Sequence, residues 1–117
     1  MSFLLNLFGP PLPSMDAVEL SNRLKAGKRP LVLDVRQPDE YRTAHIPGSK
    51  LIPLGDLRRR LNELPKSREI VCVCASGNRS SSATKMLIDE GYDAINMNGG
   101  MVTWRQAKLE IKKGDLA

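Results

Sequence analysis

Cys74-Ala75-Ser76-Gly77-Asn78-Arg79-Ser80 brings a thiol, a glycine, a guanidinium and hydroxyls together within one short stretch. The cysteine follows the apolar run Ile70-Val71-Cys72-Val73, and Ser81-Ser82-Ala83-Thr84-Lys85-Met86-Leu87-Ile88 reads as a helix. Strand, tight loop and helix N-terminus in that order favour a sulfur anion. A free thiol with a pKa of about 8.5 is only about 3% ionised at pH 7, and nucleophilic sulfur chemistry needs the anion. A helix N-terminus lowers the cost of negative charge by roughly 0.3–1 kcal/mol. Gly77 permits a positive φ, which lets successive N–H groups converge on one point. Arg79 offers a permanent charge and a planar fork suited to oxyanions. Ser80, Ser81 and Ser82 fall at the expected helix start, where serine caps well. The stretch predicts Cys74 as a nucleophile, with Ala75, Ser76, Gly77, Asn78, Arg79 and Ser80 as the loop that holds an anionic substrate or a charged sulfur adduct.

The spacing narrows the chemistry. Cysteine phosphatases place five residues between Cys and Arg, because their loop surrounds a tetrahedral phosphate. Only four separate Cys74 from Arg79, and the position that would give five is Val73, which has no thiol. A smaller anion pocket favours attack on sulfur over attack on phosphorus, and disfavours a phosphatase or an arsenate reductase.

Strands and helices alternate with short links around this loop, which argues for an α/β fold with a parallel sheet. Ser14 is a plausible N-cap, with Asp16 in the first turn of a helix whose stripe is Ala17, Leu20, Ser21 and Leu24 and whose stop is Gly27. Residues 31–35 form an apolar run, as for a strand buried on both faces. Pro38 opens a short helix to about Thr43. Further elements are expected as a strand at 50–52, a helix over 55–63 ended by Pro65, a strand at 69–73, a helix over 80–90 stopped by Gly91, a strand at 94–97 and a helix carrying Trp104. Ligands of such sheets bind beyond the carboxyl ends of the strands. Cys74, Asp34 and Arg36 all fall at such ends, which makes Asp34 and Arg36 supporting candidates. His45 is the only histidine; its His-Ile-Pro-Gly setting suggests a bond that braces a turn. Trp104 reads as core or pocket wall. No metal-ligand cluster and no nucleotide-phosphate glycine motif is visible, so no metal or cofactor is expected.

Cys-x-x-Gly-x-Arg-Ser is the active-loop pattern of the single-domain rhodaneses (thiosulfate sulfurtransferases), and Cys74 to Ser80 matches it at every fixed position. Leu33-Asp34-Val35-Arg36, Glu40-Tyr41 and His45-Ile46-Pro47-Gly48-Ser49 resemble the family's first signature, with Ala44 where a glycine is usual. Asn98-Gly99-Gly100-Met101-Val102-Thr103-Trp104 resembles its last. The resemblance spans about residues 14–113. It implies a central parallel sheet with helices on both faces, and a ping-pong reaction through a Cys74 persulfide. The implied donor is thiosulfate or another small anionic sulfur compound; the implied acceptor is cyanide, a thiol or a protein. Two alternatives are a persulfide carrier that docks a partner and has weak thiosulfate activity, and a non-catalytic rhodanese-like binding module. The intact cysteine argues against the second, since binding alone needs no thiol.

The 117 residues are enough for one domain with a real core. The net charge of +5 favours encounter with anionic substrates or an acidic partner. Arg58-Arg59-Arg60 is the only dense basic run and reads as a solvated helix face, with docking as the lesser reading and no nucleic-acid site expected. Cys72 and Cys74 point to the same side of one strand. Cys72 reads as a small core residue, and two cysteines make no disulfide framework. A working persulfide suggests a reducing, cytoplasmic setting. The apolar residues 3–8 lie before Gly9-Pro10-Pro11, lack a basic flank and are too short to span a bilayer. The expected organisation is therefore an arm at 1–13, a domain at 14–113 and a tail at 114–117.

Overall fold

The computed structural model describes residues 11–27 and 29–117. The apolar arm segment at 3–8 lies outside the described residues. Five parallel strands form one sheet: β1 (Ser14–Met15), β2 (Leu31–Asp34), β3 (Lys50–Leu51), β4 (Ile70–Val73) and β5 (Ala94–Met97), in the spatial order β1-β5-β4-β2-β3. The helices are α1 (Ala17–Lys25), α2 (Pro38–Thr43), α3 (Leu54–Leu57), continued by a 3-10 turn over Arg58–Glu63, α4 (Asn78–Asp89) and α5 (Gly100–Gln106).

Alternation along the central strands divides the core in two. Leu33, Val35, Ile70, Cys72 and Cys74 pack with Leu57, Leu64, Ala83 and Leu87 under α3 and α4. Val32, Val71, Val73 and Met97 pack with Leu20, Met101 and Trp104 under α1 and α5. A sheet covered on both faces explains why β4 is apolar throughout, with all four residues buried. Trp104 lies in the second core at 2% exposure, and its indole N–H donates to Glu110 O at 2.8 Å.

Three local expectations change. Ser14 is not the cap of α1; it sits in β1, paired with Asn96 of β5. The cap is Asp16, whose Oδ1 accepts from Glu19 N at 2.8 Å. The helix expected over 55–63 is broken: α3 ends at Leu57, and Arg60 has φ −116°, ψ 15° inside the 3-10 turn. The break lets Arg60 reach Glu63 through Nε and Nη2 at 2.7 and 2.9 Å, while Arg59 pairs with Asp56 at 3.0 Å. Two of the three guanidinia in the basic run are thus already engaged. The helix after the active loop begins at Asn78, two residues earlier than expected, because Gly77 at φ +107° takes the cap position.

Asp34 and Arg36 form a buried forked pair, with Nε to Oδ1 at 2.9 Å and Nη2 to Oδ2 at 2.7 Å. The same Nη2 donates to Ala44 O at 2.7 Å, which ties the end of β2 to the start of the His45 turn. Arg36→Ala should leave a carboxylate in the core without its cation, at a cost of about 3–5 kcal/mol. That loss would appear as a lower urea midpoint. Arg36→Lys should recover only part of it, since an ammonium cannot fork between Asp34 and Ala44 O.

Candidate active site

β4 delivers Cys74 to the carboxyl end of the sheet, one residue past its last ladder position. The chain then turns through residues 75–77 into α4. Gly77 N donates to Cys74 Sγ at 3.1 Å. Ser80 Oγ lies 3.3 Å from Sγ and 3.2 Å from Gly77 O, so its proton goes to the sulfur when the sulfur is charged. Burial pushes the Cys74 thiol up. The hydroxyl of Ser80 and the backbone amides of Ser80, Gly77 and Ser76 outweigh it, and the net result is a thiol below its ordinary range. Cys72, two residues earlier and fully buried, shows burial with weaker compensation. It is pushed up to about 12, with only the Thr84 hydroxyl opposing.

The loop is held from outside by α5. Met101 N donates to Cys74 O at 2.8 Å and Val102 N to Ala75 O at 3.0 Å. These bonds turn the carbonyls outward and leave the amides for the sulfur. Such an approach leaves no room for a side chain at Gly100, where a Cβ would overlap Cys74 O and the Ala75 carbonyl. Gly100 also has φ +58°. The last signature therefore acts on the first atom of the site.

Arg79 is placed differently from expectation. Its guanidinium grips Glu40, Nη1 to Oε1 at 2.7 Å and Nη2 to Oε2 at 2.8 Å, and the charge of a Cys74 thiolate adds to what keeps it protonated. The pair ties the active loop to α2, where Glu40 Oε1 also accepts from Gln37 N at 2.9 Å. The Arg79 hydrogen bonds hold the Glu40 carboxyl at about 2, against the opposing effect of burial. Sequence reasoning missed this role for Glu40. The residues lie 39 apart, and the one local signal was a Glu at the third position of a helix opened by Pro38.

Asp34 and Arg36 face each other and the His45 turn, and so brace the end of β2 beside the site. His45 is buried and stacked on Tyr41, with ring centroids 3.7 Å apart. Its Nδ1 lies 2.8 Å from Tyr41 O and its Nε2 2.8 Å from Leu116 O. With both nitrogens occupied, the ring serves the turn and the C-terminal segment. Among the described residues, no three His, Cys, Asp or Glu side chains cluster as a metal site, and no helix is long and apolar enough to cross a membrane.

Two outcomes follow from the supports of the loop. Gly100→Ala should cost about 1–3 kcal/mol from positive φ alone, with the overlap against Cys74 O and the Ala75 carbonyl added to it, seen as a lower thermal midpoint. It should also raise the ionisation midpoint of Cys74 measured by thiolate absorbance. The depressed Glu40 carboxyl gives stability that is complete above its ordinary pKa of about 4.3 and lost as pH falls through about 2. Glu40→Gln should therefore weaken the fold at neutral pH and remove part of its acid sensitivity in a pH–urea series.

The comparisons with known proteins agree with this geometry. Residues 16–107 match the model of the Rhodanese-like domain family. A sulfurtransferase of Allochromatium vinosum is 35% identical over 98 residues, covering 83% of this chain and 92% of that protein. YrkF of Bacillus subtilis, whose name provisionally makes it a sulfur carrier, is 36% identical over 94 residues, or 80% of this chain. The chain spans about half of YrkF, 51%. The crystal structure of a rhodanese-like domain protein from Staphylococcus aureus superposes with a TM-score of 0.79 at 38% identity, covering 86% of this chain and 99% of that one.

Proposed function

The chain belongs to the rhodanese-like family, and from that premise we propose that it is a sulfurtransferase acting through a Cys74 persulfide. The observation that carries this reading is the inward set of donors on Sγ, led by Gly77 N at 3.1 Å and Ser80 Oγ at 3.3 Å. Donors fixed before reaction favour the charged sulfur without reorganising at the moment of attack.

In the first half-reaction the Cys74 thiolate attacks the outer sulfur of thiosulfate. A Cys74–sulfur bond forms, the sulfur–sulfur bond of the donor breaks, and the electron pair leaves with sulfite. In the second, cyanide or a thiolate attacks the outer sulfur of the persulfide, and the electron pair returns to Cys74 Sγ. The loop amides bear negative sulfur before and after each step, so no general base is needed. Cys74 exposes only 1% of its surface. A donor must therefore arrive end-on, sulfur first.

That burial also favours a second reading, in which the chain chiefly carries a shielded persulfide between proteins and turns thiosulfate over slowly. The sulfur-carrier name of YrkF supports it as well. The two differ in whether a persulfidated protein donor outcompetes thiosulfate in loading Cys74.

Incubation with thiosulfate should add one sulfur atom to the intact mass, removable by cyanide and absent from Cys74→Ser. No gain from thiosulfate or from a persulfidated protein would end the proposal. Ser80→Ala removes a donor that stabilises the anion, so the Cys74 pKa should rise. The acid limb of the pH–rate profile should then move to higher pH, with the rate falling most below the new midpoint.

A further inference from the structure

His45 is the one histidine of the chain, is fully buried, and takes no part in the sulfur chemistry proposed above. Its surroundings set a requirement that a neutral ring does not meet. Nδ1 lies 2.8 Å from Tyr41 O and Nε2 2.8 Å from Leu116 O. Both partners are backbone carbonyls, which only accept. A neutral imidazole carries one N–H, so either tautomer turns a lone pair on one of the carbonyls, whereas the doubly protonated ring donates to both. The two contacts differ in what else supports them. Tyr41 is four residues away, and its ring is stacked on His45 with centroids 3.7 Å apart. Leu116 is 71 residues away, in the C-terminal segment. That segment is fixed as far as Gly114 by backbone bonds: His45 and Lys112 exchange two, at 2.9 and 2.8 Å, and Gly114 N donates to Arg42 O at 2.8 Å. Beyond Gly114 the other ties among the described residues are exposed, an Arg42–Asp115 pair at 3.5 Å and a bond from Lys112 Nζ to Ala117 O at 2.8 Å.

We infer that residues 115–117 form a proton-operated latch, in which an imidazolium at His45 ties Leu116 to the turn and loss of one ring proton to water releases the segment beyond Gly114. The inference goes beyond sulfur transfer and does not depend on it. The proton that stays is the one on Nδ1, because stacking holds Tyr41 in place and nothing comparable holds Leu116. Histidine is the side chain whose ordinary titration falls between about pH 5 and 8. The other titratable or charged groups packed around the ring are Glu40, Tyr41 and Arg42 of α2, Asp34 and Arg36 at the end of β2, and Lys112 and Asp115 of the C-terminal segment. Burial pushes Tyr41 above its ordinary range, Arg79 holds Glu40 at about 2, and Asp34 is paired with Arg36. The ring is therefore the group through which a change near neutral pH acts. The segment it frees lies on α2, the helix whose Glu40 holds Arg79 of the active loop.

Nitrogen NMR of the full chain reads this directly, since a single histidine gives one pair of ring signals. Titrated from about pH 5 to about pH 8, the ring should pass from the doubly protonated form to the tautomer with its proton on Nδ1. The heteronuclear NOEs of residues 115–117 should be lost with the same midpoint, while those of residues 112–114 stay. Asp115→Asn removes the exposed ion pair and should keep the two midpoints together. His45→Gln should abolish the pH dependence of the segment; if that variant does not fold, the wild-type and Asp115→Asn titrations decide. A ring that holds one charge state across the range, a segment that stays ordered once the ring has lost a proton, or a mobility midpoint apart from that of the ring would each overturn the inference. So would a pH dependence that persists in folded His45→Gln or disappears in Asp115→Asn. Loading of Cys74 is measured separately by intact mass, and its failure would leave the latch standing.

Discussion

Lowering the cost of negative charge on a sulfur that almost no water reaches is the constraint on which the rest of this structure depends. Burial alone drives the thiol toward its neutral form, as Cys72 shows. Cys74 escapes that outcome because the Ser80 hydroxyl and three amides face its sulfur. Their positions follow from a turn made possible by Gly77 and from the helix that starts at Asn78. Without those donors, Cys74 would be a second inert core thiol.

The donors are in turn fixed from two sides. The amides of Met101 and Val102 draw the loop carbonyls outward, and the bare Cα of Gly100 lets α5 come close enough to do so. The Arg79–Glu40 fork secures the far side of the loop to α2. The Asp34–Arg36 pair fixes the end of β2 and the turn after α2. Segments distant in sequence thus converge on one loop, each through groups that leave the sulfur's own surroundings to backbone and hydroxyl.

The parallel α/β fold, and a tight loop that joins a buried strand to a helix N-terminus at Cys74, were legible in the sequence because each is written locally. The apolar β4, the glycine at the turn and the hydroxyls that follow all lie within a dozen residues of Cys74. Much of what escaped was set by partners far along the chain. Ser14 looked like a helix cap because nothing nearby reveals that β5 offers it a ladder. The Arg79–Glu40 fork could not be read locally because the two residues lie 39 apart. Asp34 and Arg36, expected as supporting residues at a strand end, turn to each other and to Ala44 O. The 3-10 turn at Arg58–Glu63 hid behind leucines spaced well enough for a regular helix.

Cys72 has a consequence of its own. It lies in the same core cluster as Cys74, and its thiol is pushed up to about 12. A sulfane adduct on Cys74 would be discharged internally only if a neighbouring sulfur lost its proton and displaced hydrosulfide, closing a disulfide. Because Cys72 keeps its proton under ordinary conditions, that leak is shut. On the proposed reading, the lifetime of such an adduct would be set by what arrives from outside the molecule, with the protonated core thiol of Cys72 as its insulation.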